Sequence, residues 1–242
     1  MSHQRKVYVV GRNEEVRRLL TQHVGSVGAE AWPFASGADF LDILDHLGPA
    51  CVLLDMDGSD VSGLEILAEM GARDIAWPVI AISGREELQL VIETMKLGAL
   101  DFLRLPLSRE LLALALAPAW RALERVVEAG ESRRAAQQRL GRLTAREMDV
   151  LLALLGGRFN KAIAHDFGIS VRTVEMHRAH IMAKLEVKSL AEAALLAPQA
   201  GLHVPSGDSP ATRARGPVPA PGSYAGADCR GQLSALARRL SS

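Results

Sequence analysis

Short apolar runs alternate with stretches of helical spacing along the first half of the chain. Because strands that alternate with helices pair side by side in parallel, this pattern predicts an α/β doubly wound sheet with helices on both faces. Residues 51–54 are apolar throughout, which predicts a strand buried in the middle of that sheet. The predicted strands are residues 7–10, 29–34, 51–54, 79–82 and 100–103, and the predicted helices are residues 13–23, 36–47, 62–72, 86–97 and a long helix that begins at Ser108.

The second half has the spacing of short helices with residues suited to cap them. Thr144 followed three positions later by Glu147 has the form of a capping box, which predicts the start of a helix. Gly168 lies between two helical patterns, where a left-handed turn is needed. The four predicted helices are residues 148–155, a helix capped by Asn160, a helix capped by Ser170, and residues 189–197, which Pro198 ends.

Charge is distributed unevenly, although the 242 residues have a net charge of zero. Residues 1–125 carry 12 basic and 18 acidic side chains, whereas residues 139–190 carry 9 basic and 5 acidic ones. The first region is therefore expected to repel a phosphate backbone and the second to attract it. We find no run of about 18 apolar residues, so no transmembrane helix is predicted and a cytoplasmic location is expected. The two cysteines, Cys51 and Cys229, are too far apart in sequence to suggest a disulfide framework or a zinc site.

Residues 4–122 resemble the receiver domain of bacterial response regulators, which has a flavodoxin-like fold. The resemblance implies that Asp55 is the equivalent of the phosphoryl acceptor and that Ser83 is the switch hydroxyl that bonds the phosphoryl group. It also implies that Phe102 is the aromatic side chain that moves with that hydroxyl. The segments that carry the resemblance are LLDMDGSDVSGLEIL at 53–67, VIAISG at 79–84 and KLGALDFLRLP at 96–106.

This chain departs from the receiver pattern at the chemically important positions. Receivers carry two acidic residues after the first strand to bind Mg²⁺, and the matching residues here are Gly11 and Arg12. Receivers also carry a Lys before the cis-proline that follows the fifth strand, and here Leu105 precedes Pro106. Phosphoryl transfer to a carboxylate concentrates negative charge that Mg²⁺ and an ammonium group normally neutralise. Ordinary Mg²⁺-dependent phosphorylation is therefore expected to be lost.

Asp55 is expected to be a poor magnesium ligand without the missing acidic pair. Asp57 can offer a second carboxylate, but from a loop position where receivers use a backbone carbonyl. We predict that Asp55 pairs with Arg12 or Arg104, since a nearby guanidinium would keep its carboxylate ionised. In the stronger form of this hypothesis, a contact between Arg12 and Asp55 locks the domain in one signalling state.

Residues 139–201 resemble the LuxR-type, or FixJ/NarL-type, helix-turn-helix domain, an all-α unit of four helices. The segments that carry this resemblance are LTAREMDVL at 143–151, NKAIA at 160–164, ISVRTVEMHRAHIMAKL at 169–185 and KSLAEA at 188–193. The resemblance implies that the third helix enters the major groove through its N-terminal half. It implies phosphate contacts by Lys161, Arg172, Thr173, Arg178, Lys184 and Lys188, and base-edge contacts by Glu175, Met176 and Ala179.

Two further segments have less definite predictions. Residues 123–138 are polar and helix-prone, and form either a solvated linker or a helix that extends toward a partner subunit. Residues 202–242 are rich in Pro, Gly, Ser and Ala, which predicts a disordered tail. His165, His177 and His180 lack ligand partners at metal-binding spacing, so no metal site is expected in the second region.

These patterns together predict a transcriptional regulator that binds double-stranded DNA, with no cofactor and no enzymatic activity. By the resemblance, two copies would pair through residues 86–97, 100–103 and 108–121 and bind paired half-sites. A sensor kinase or another regulatory protein is a candidate partner, and no membrane association is expected. Two alternatives stay open: a conventional regulator that is phosphorylated on Asp55, and an adaptor that sequesters another protein.

Overall fold

The first domain is built around one parallel sheet. The computed structural model describes residues 5–57, 60–85 and 87–202, so most of the predicted tail lies outside the described residues. The sheet has the strand order β2-β1-β3-β4-β5, which confirms the predicted doubly wound α/β fold. The strands β3 and β4 each run one residue beyond the predicted end and so include Asp55 and Ser83. The five strands are β1 Lys6–Val10, β2 Glu30–Phe34, β3 Cys51–Asp55, β4 Val79–Ser83 and β5 Asp101–Arg104.

Helices cover both faces of this sheet and begin at side-chain caps. Asn13 and Ser62, which were predicted as the first helical residues, lie one position outside as N-caps. Ser36 and Ser108, also given as the first residues of predicted helices, are N-caps too, and each accepts a backbone N–H. The helices are α1 Glu14–Ser26, α2 Gly37–Ile43 with a 3₁₀ turn over Leu44–His46, α3 Gly63–Ala72, α4 Leu88–Lys96 and α5 Arg109–Gly141.

Successive strand residues alternate between two apolar cores, one on each face of the sheet. Val9 and Leu53 face α1 and α5, where Leu116 is also fully buried. Val52 and Leu54 face α2 and α3 on the opposite side. Burial of each such side chain contributes about 1.5–3 kcal/mol, so β3, buried along its whole length, is held firmly in place. Asp55, its last residue, is positioned by that packing.

The helix α5 is 33 residues long, about 50 Å, and runs through the segment predicted as a linker. Pro118 lies inside it, at a position where the flanking residues Leu116 and Ala119 are fully buried against the sheet. At its other end, Ala136 and Leu140 are buried in the core of the second domain. The C-terminal part of the predicted linker is therefore a component of the second domain rather than a solvated spacer.

The second domain packs four further helices around the end of α5. Its capping box is confirmed, since the Glu147 amide donates to the Thr144 hydroxyl and the Glu147 carboxylate accepts the Thr144 amide. Gly168 adopts the expected left-handed conformation, with φ of 63°, and the Ser170 hydroxyl caps the next helix. The helices are α6 Ala145–Leu155, α7 Asn160–Phe167, α8 Val171–Leu185 and α9 Leu190–Gln199.

Two predicted helix ends in this domain are wrong. Asn160 is the first residue of α7 rather than its cap, and Phe159 occupies the cap position without a side-chain hydrogen bond. Pro198 lies within the last turn of α9 rather than after it, and its carbonyl accepts the Gly201 amide at 2.9 Å. In the part of the chain that the structure describes, no helix combines the length and apolar character needed to cross a membrane.

Candidate functional site

Asp55 is buried at the carboxyl edge of the sheet and is not paired with an arginine. Only 2% of the residue is exposed, and its Oδ1 atom accepts the Asp57 amide at 3.0 Å. Its Oδ2 atom is buried without a hydrogen-bond partner. Burial raises the pKa of Asp55, and the nearby Asp57 carboxylate adds to that increase. The predicted ion pair with Arg12 or Arg104 is therefore wrong.

Gly11 lies directly against Asp55, which gives this glycine a steric role. A Cβ atom at position 11 would lie 2.6 Å from the Asp55 Cβ and 3.1 Å from its Oδ2. Ordinary contacts between carbon atoms are about 3.5–4.0 Å, so a side chain at position 11 requires Asp55 to move. The sequence revealed the missing acidic residue at this position, but the close approach is visible only in the structure.

The loop after β1 is bound by the guanidinium of Arg17 and not by that of Arg12. Arg12 is exposed, whereas the Nη1 atom of Arg17 donates to the Gly11 carbonyl at 2.8 Å and to the Arg12 carbonyl at 3.2 Å. The guanidinium thus binds the backbone of the loop after β1. Arg17 lies within the helix predicted at residues 13–23, but nothing in the sequence indicated that it binds this loop.

Ser83 donates its hydroxyl to Asp57 and not to Asp55. The Ser83 Oγ atom lies 3.0 and 3.1 Å from the two carboxylate oxygens of Asp57. The same carboxylate accepts the Gly84 amide at 2.5 Å and the Arg85 Nε–H at 2.7 Å. Partial burial alone would raise the pKa of Asp57, but hydrogen bonds from Arg85, Gly84 and Ser83 outweigh it and lower that pKa. Asp57 is thus held as an ionised ligand of the loop after β4.

These residues do not fit a magnesium ion. Mg²⁺ needs several hard oxygen ligands with nearly octahedral geometry. One oxygen of Asp55 accepts a backbone amide, and both oxygens of Asp57 are directed at Ser83 and its neighbours. Within residues 5–57, 60–85 and 87–202, no group of three or more His, Cys, Asp or Glu side chains could hold a metal ion.

The remaining predicted residues of the first domain lie beside this edge. Leu105 is half-buried against the α5 face of the sheet and precedes Pro106 through a cis peptide bond, as expected. Its backbone amide donates to the Ser83 carbonyl at 2.9 Å, while its apolar side chain offers no charge. Phe102 is half-buried and packs against the core on the opposite face. The switch roles of Ser83 and Phe102 stay predictions.

The helix α8 presents an exposed face opposite a fully buried one. Val174, Ile181 and Leu185 are fully buried against the domain core. Met176 is 51% exposed on the outer face, and His180, one turn later, is exposed on the same side. The sequence did not single out His180 as a DNA contact. Seven other predicted DNA contacts are exposed or half-exposed: Lys161, Arg172, Thr173, Glu175, Arg178, Ala179 and Lys188.

Lys184, another predicted DNA contact, forms an ion pair within the second domain. Its Nζ atom lies 2.6 Å from the carboxylate of Glu147, which is only 4% exposed. Burial would raise the pKa of Glu147, but Lys184 and the capping residue Thr144 lower it to about 2. The ammonium neutralises a buried carboxylate, so Lys184 has a structural role, and its predicted phosphate contact stays a prediction. The capping box in the sequence could have indicated this pair, because the Glu147 carboxylate requires a positively charged partner when it is buried.

Comparisons with known proteins agree with this architecture. The response regulator receiver domain family matches residues 7–117, and the bacterial regulatory proteins of the luxR family match residues 141–197. Transcriptional regulatory protein FixJ of Azorhizobium caulinodans is 37% identical over 209 residues, which cover 85% of this chain and 97% of that protein. Transcriptional regulatory protein FixJ of Bradyrhizobium diazoefficiens is 33% identical over 196 residues, covering 81% of this chain and 96% of that one.

Two solved structures resemble the chain across both domains. The low-resolution structure of the response regulator StyR has a TM-score of 0.65 and 30% identity, and the match covers 81% of this chain and all of StyR. Full-length FixJ from B. japonicum has a TM-score of 0.50 and 32% identity, covering 83% of this chain and 98% of that one. With a receiver domain, a luxR-family domain and relatives named as transcriptional regulators, this chain belongs to the FixJ-like response regulators, a family of DNA-binding transcriptional regulators.

Proposed function

We propose that this chain is a sequence-specific transcriptional regulator whose activity does not depend on Mg²⁺-dependent phosphorylation of Asp55. The observation that carries the proposal is the engagement of Ser83 by Asp57, together with the close contact between Gly11 and Asp55. A phosphoryl group on Asp55 would need the hydroxyl and amide donors that Asp57 already uses.

The electrostatics of the pocket support the same proposal. Transfer of a phosphoryl group to Asp55 requires an ionised nucleophile and positive charge around the developing oxyanions. Burial raises the pKa of Asp55 and the adjacent Asp57 carboxylate raises it further, while the hydrogen bond from the Asp57 amide lowers it in part. Leu105, at the position where receivers supply an ammonium, brings only an apolar side chain. Each of these features raises the barrier to phosphorylation.

The outer face of α8 supports DNA recognition as the output. The helix is 15 residues long, about 22 Å, and therefore fits along the major groove. Exposed Arg172 and Arg178 can contact phosphates and fix the position of the helix on the duplex. Glu175 can accept a hydrogen bond from the N4 amino group of cytosine, and Met176 can contact a thymine methyl group. These contacts make the recognition sequence-specific.

A homodimer on paired half-sites is part of this proposal. Leu88 on α4 is 74% exposed and Leu114 on α5 is 71% exposed, with Ile92, Met95 and Leu111 also exposed on these two helices. An apolar surface of this kind is suited to a partner. Pairing of two copies through it would place two α8 helices for one operator. A receiver domain also implies a protein partner such as a sensor kinase, and we propose that any such partner acts here without phosphoryl transfer.

The test is the affinity of the unmodified protein and of Asp55→Ala for a genomic DNA fragment selected by the protein itself. Both proteins are measured with and without acetyl phosphate and Mg²⁺ at one fixed salt concentration. We expect tight binding by both, unchanged by the phosphodonor. Affinity that rises with acetyl phosphate in the wild type alone would establish the conventional regulator. Failure to select any specific fragment would favour the sequestering adaptor.

A further inference from the structure

We propose that Asp57 is a built-in anionic ligand of the loop formed by Ser83, Gly84 and Arg85, and that it holds this loop in the state that binds DNA. This inference rests on the proposed function and names the contact that replaces phosphorylation. In this arrangement the Asp57 carboxylate provides the negative charge that a phosphoryl group would provide in control by phosphorylation.

The donors of this loop converge on a single carboxylate. A hydroxyl from Ser83, a backbone amide from Gly84 and the Nε–H of Arg85 all donate to Asp57 at 2.5–3.1 Å. A hydroxyl, a backbone N–H and a guanidinium form a donor set that binds small oxyanions in general. The Ser83 hydroxyl also accepts the Arg85 amide at 2.9 Å, so the loop is held from within as well. The site is complete without a diffusible ligand.

The same contact connects β3 to the start of α4. Asp57 lies two residues after β3. The Arg85 guanidinium, which binds Asp57, also lies 3.5 Å from the Glu87 carboxylate. Glu87 is the N-cap residue of α4, and no side-chain hydrogen bond caps that helix. The position of α4 therefore depends on the loop that Asp57 holds. Because Leu88 and Met95 of α4 belong to the exposed apolar surface, the contact can control pairing of two copies.

The experiment uses the full chain without any phosphodonor. Asp57→Asn keeps the shape of the side chain and removes its charge, and Arg85→Ala removes the guanidinium. The matched control is Asp42→Asn, which removes an exposed carboxylate from α2, away from this loop. The measurements are affinity for the selected DNA fragment, sedimentation to determine pairing, and hydrogen exchange of the peptide that contains Gly84 and Arg85.

We expect Asp57→Asn and Arg85→Ala each to weaken DNA binding by about tenfold and to accelerate exchange in this peptide, since a charge-assisted hydrogen bond is lost. The double variant should be no weaker than either single variant, because both remove the same contact. With Asp57→Ala, inorganic phosphate should restore binding, whereas the wild type should not respond to it. The control should match the wild type.

Three results would overturn the proposal. DNA binding by Asp57→Asn that equals the wild type would show that the loop does not set the signalling state, whatever happens to its exchange. Additive losses in the double variant would mean that the two residues act separately. A loss that inorganic phosphate does not reverse in Asp57→Ala would indicate a general loss of structure. The effect of acetyl phosphate on DNA binding by the wild type is measured separately. An increase in affinity would refute the proposed function, whichever result the Asp57 variants give.

Discussion

Replacement of Gly11 by alanine tests the claim that the pocket has closed around Asp55. The added Cβ would lie 2.6 Å from the Asp55 Cβ, about 1 Å closer than an ordinary carbon contact. Asp55 cannot easily turn away, because its Oδ1 atom is held by the Asp57 amide and β3 is buried throughout. Overpacking of this kind costs about 1–3 kcal/mol, so Gly11→Ala should lower the free energy of unfolding of the first domain by that amount.

Tryptophan fluorescence during urea unfolding measures this domain selectively. The three tryptophans of the chain, at positions 32, 77 and 120, all lie in the first domain or at the start of α5. Gly25→Ala is the control, since a Cβ at that exposed helical position meets nothing within 4 Å and should stabilise the domain by up to about 1 kcal/mol. If Gly11→Ala were as stable as the wild type, the pocket would have room for a side chain and the steric argument would fail.

The remaining predictions concern the second domain. Lys184→Met should destabilise this domain by about 1–3 kcal/mol, because a buried carboxylate loses its ammonium partner. The partial exposure of Lys184 reduces the effect. Thermal unfolding followed by circular dichroism measures it. Lys188→Met should leave unfolding unchanged and weaken DNA binding. Because the pKa of Glu147 is lowered in the folded state, this group contributes stability that is present above its unfolded pKa near 4.5 and is lost as pH falls toward 2. Unfolding temperatures measured over this pH range would detect the loss. Arg178→Ala should weaken binding to all sequences and reduce the salt slope by about 1, whereas Met176→Ala should relax preference at one base pair, and binding titrations at several salt concentrations distinguish the two.

The Asp57 contact shows why the hydrogen bonds of the candidate site could not be predicted from the sequence. Its partners lie 26 to 28 positions away in the chain, and they meet only because β3 and β4 are neighbours in the sheet. The sequence identified Asp57 as an additional carboxylate but could not say which donors it would meet. Hydrogen-bond partners across a sheet edge depend on the register and the loop conformation, and neither follows from local spacing.

The Arg12 hypothesis failed for a related reason. Proximity in sequence to a missing acidic residue suggested that the guanidinium would fill the empty space, but Arg12 is exposed. Gly11 allows the backbone to approach Asp55 closely, and Arg17 of α1 binds the loop instead. Where a long side chain points depends on which surface is open to it after packing.

The sequence by itself determined the strand and helix order, the caps at Thr144 and Ser170, and the family, because these depend on local spacing and on motifs. It also determined that residues 51–54 form a buried central strand, since an unbroken apolar run is typical of such a strand. Only the tertiary structure decided the partners of charged groups: Asp57 with Ser83 and Arg85, and Lys184 with Glu147. Those pairs join residues distant in sequence, and each charge binds whichever oppositely charged or polar group the packed elements bring within reach.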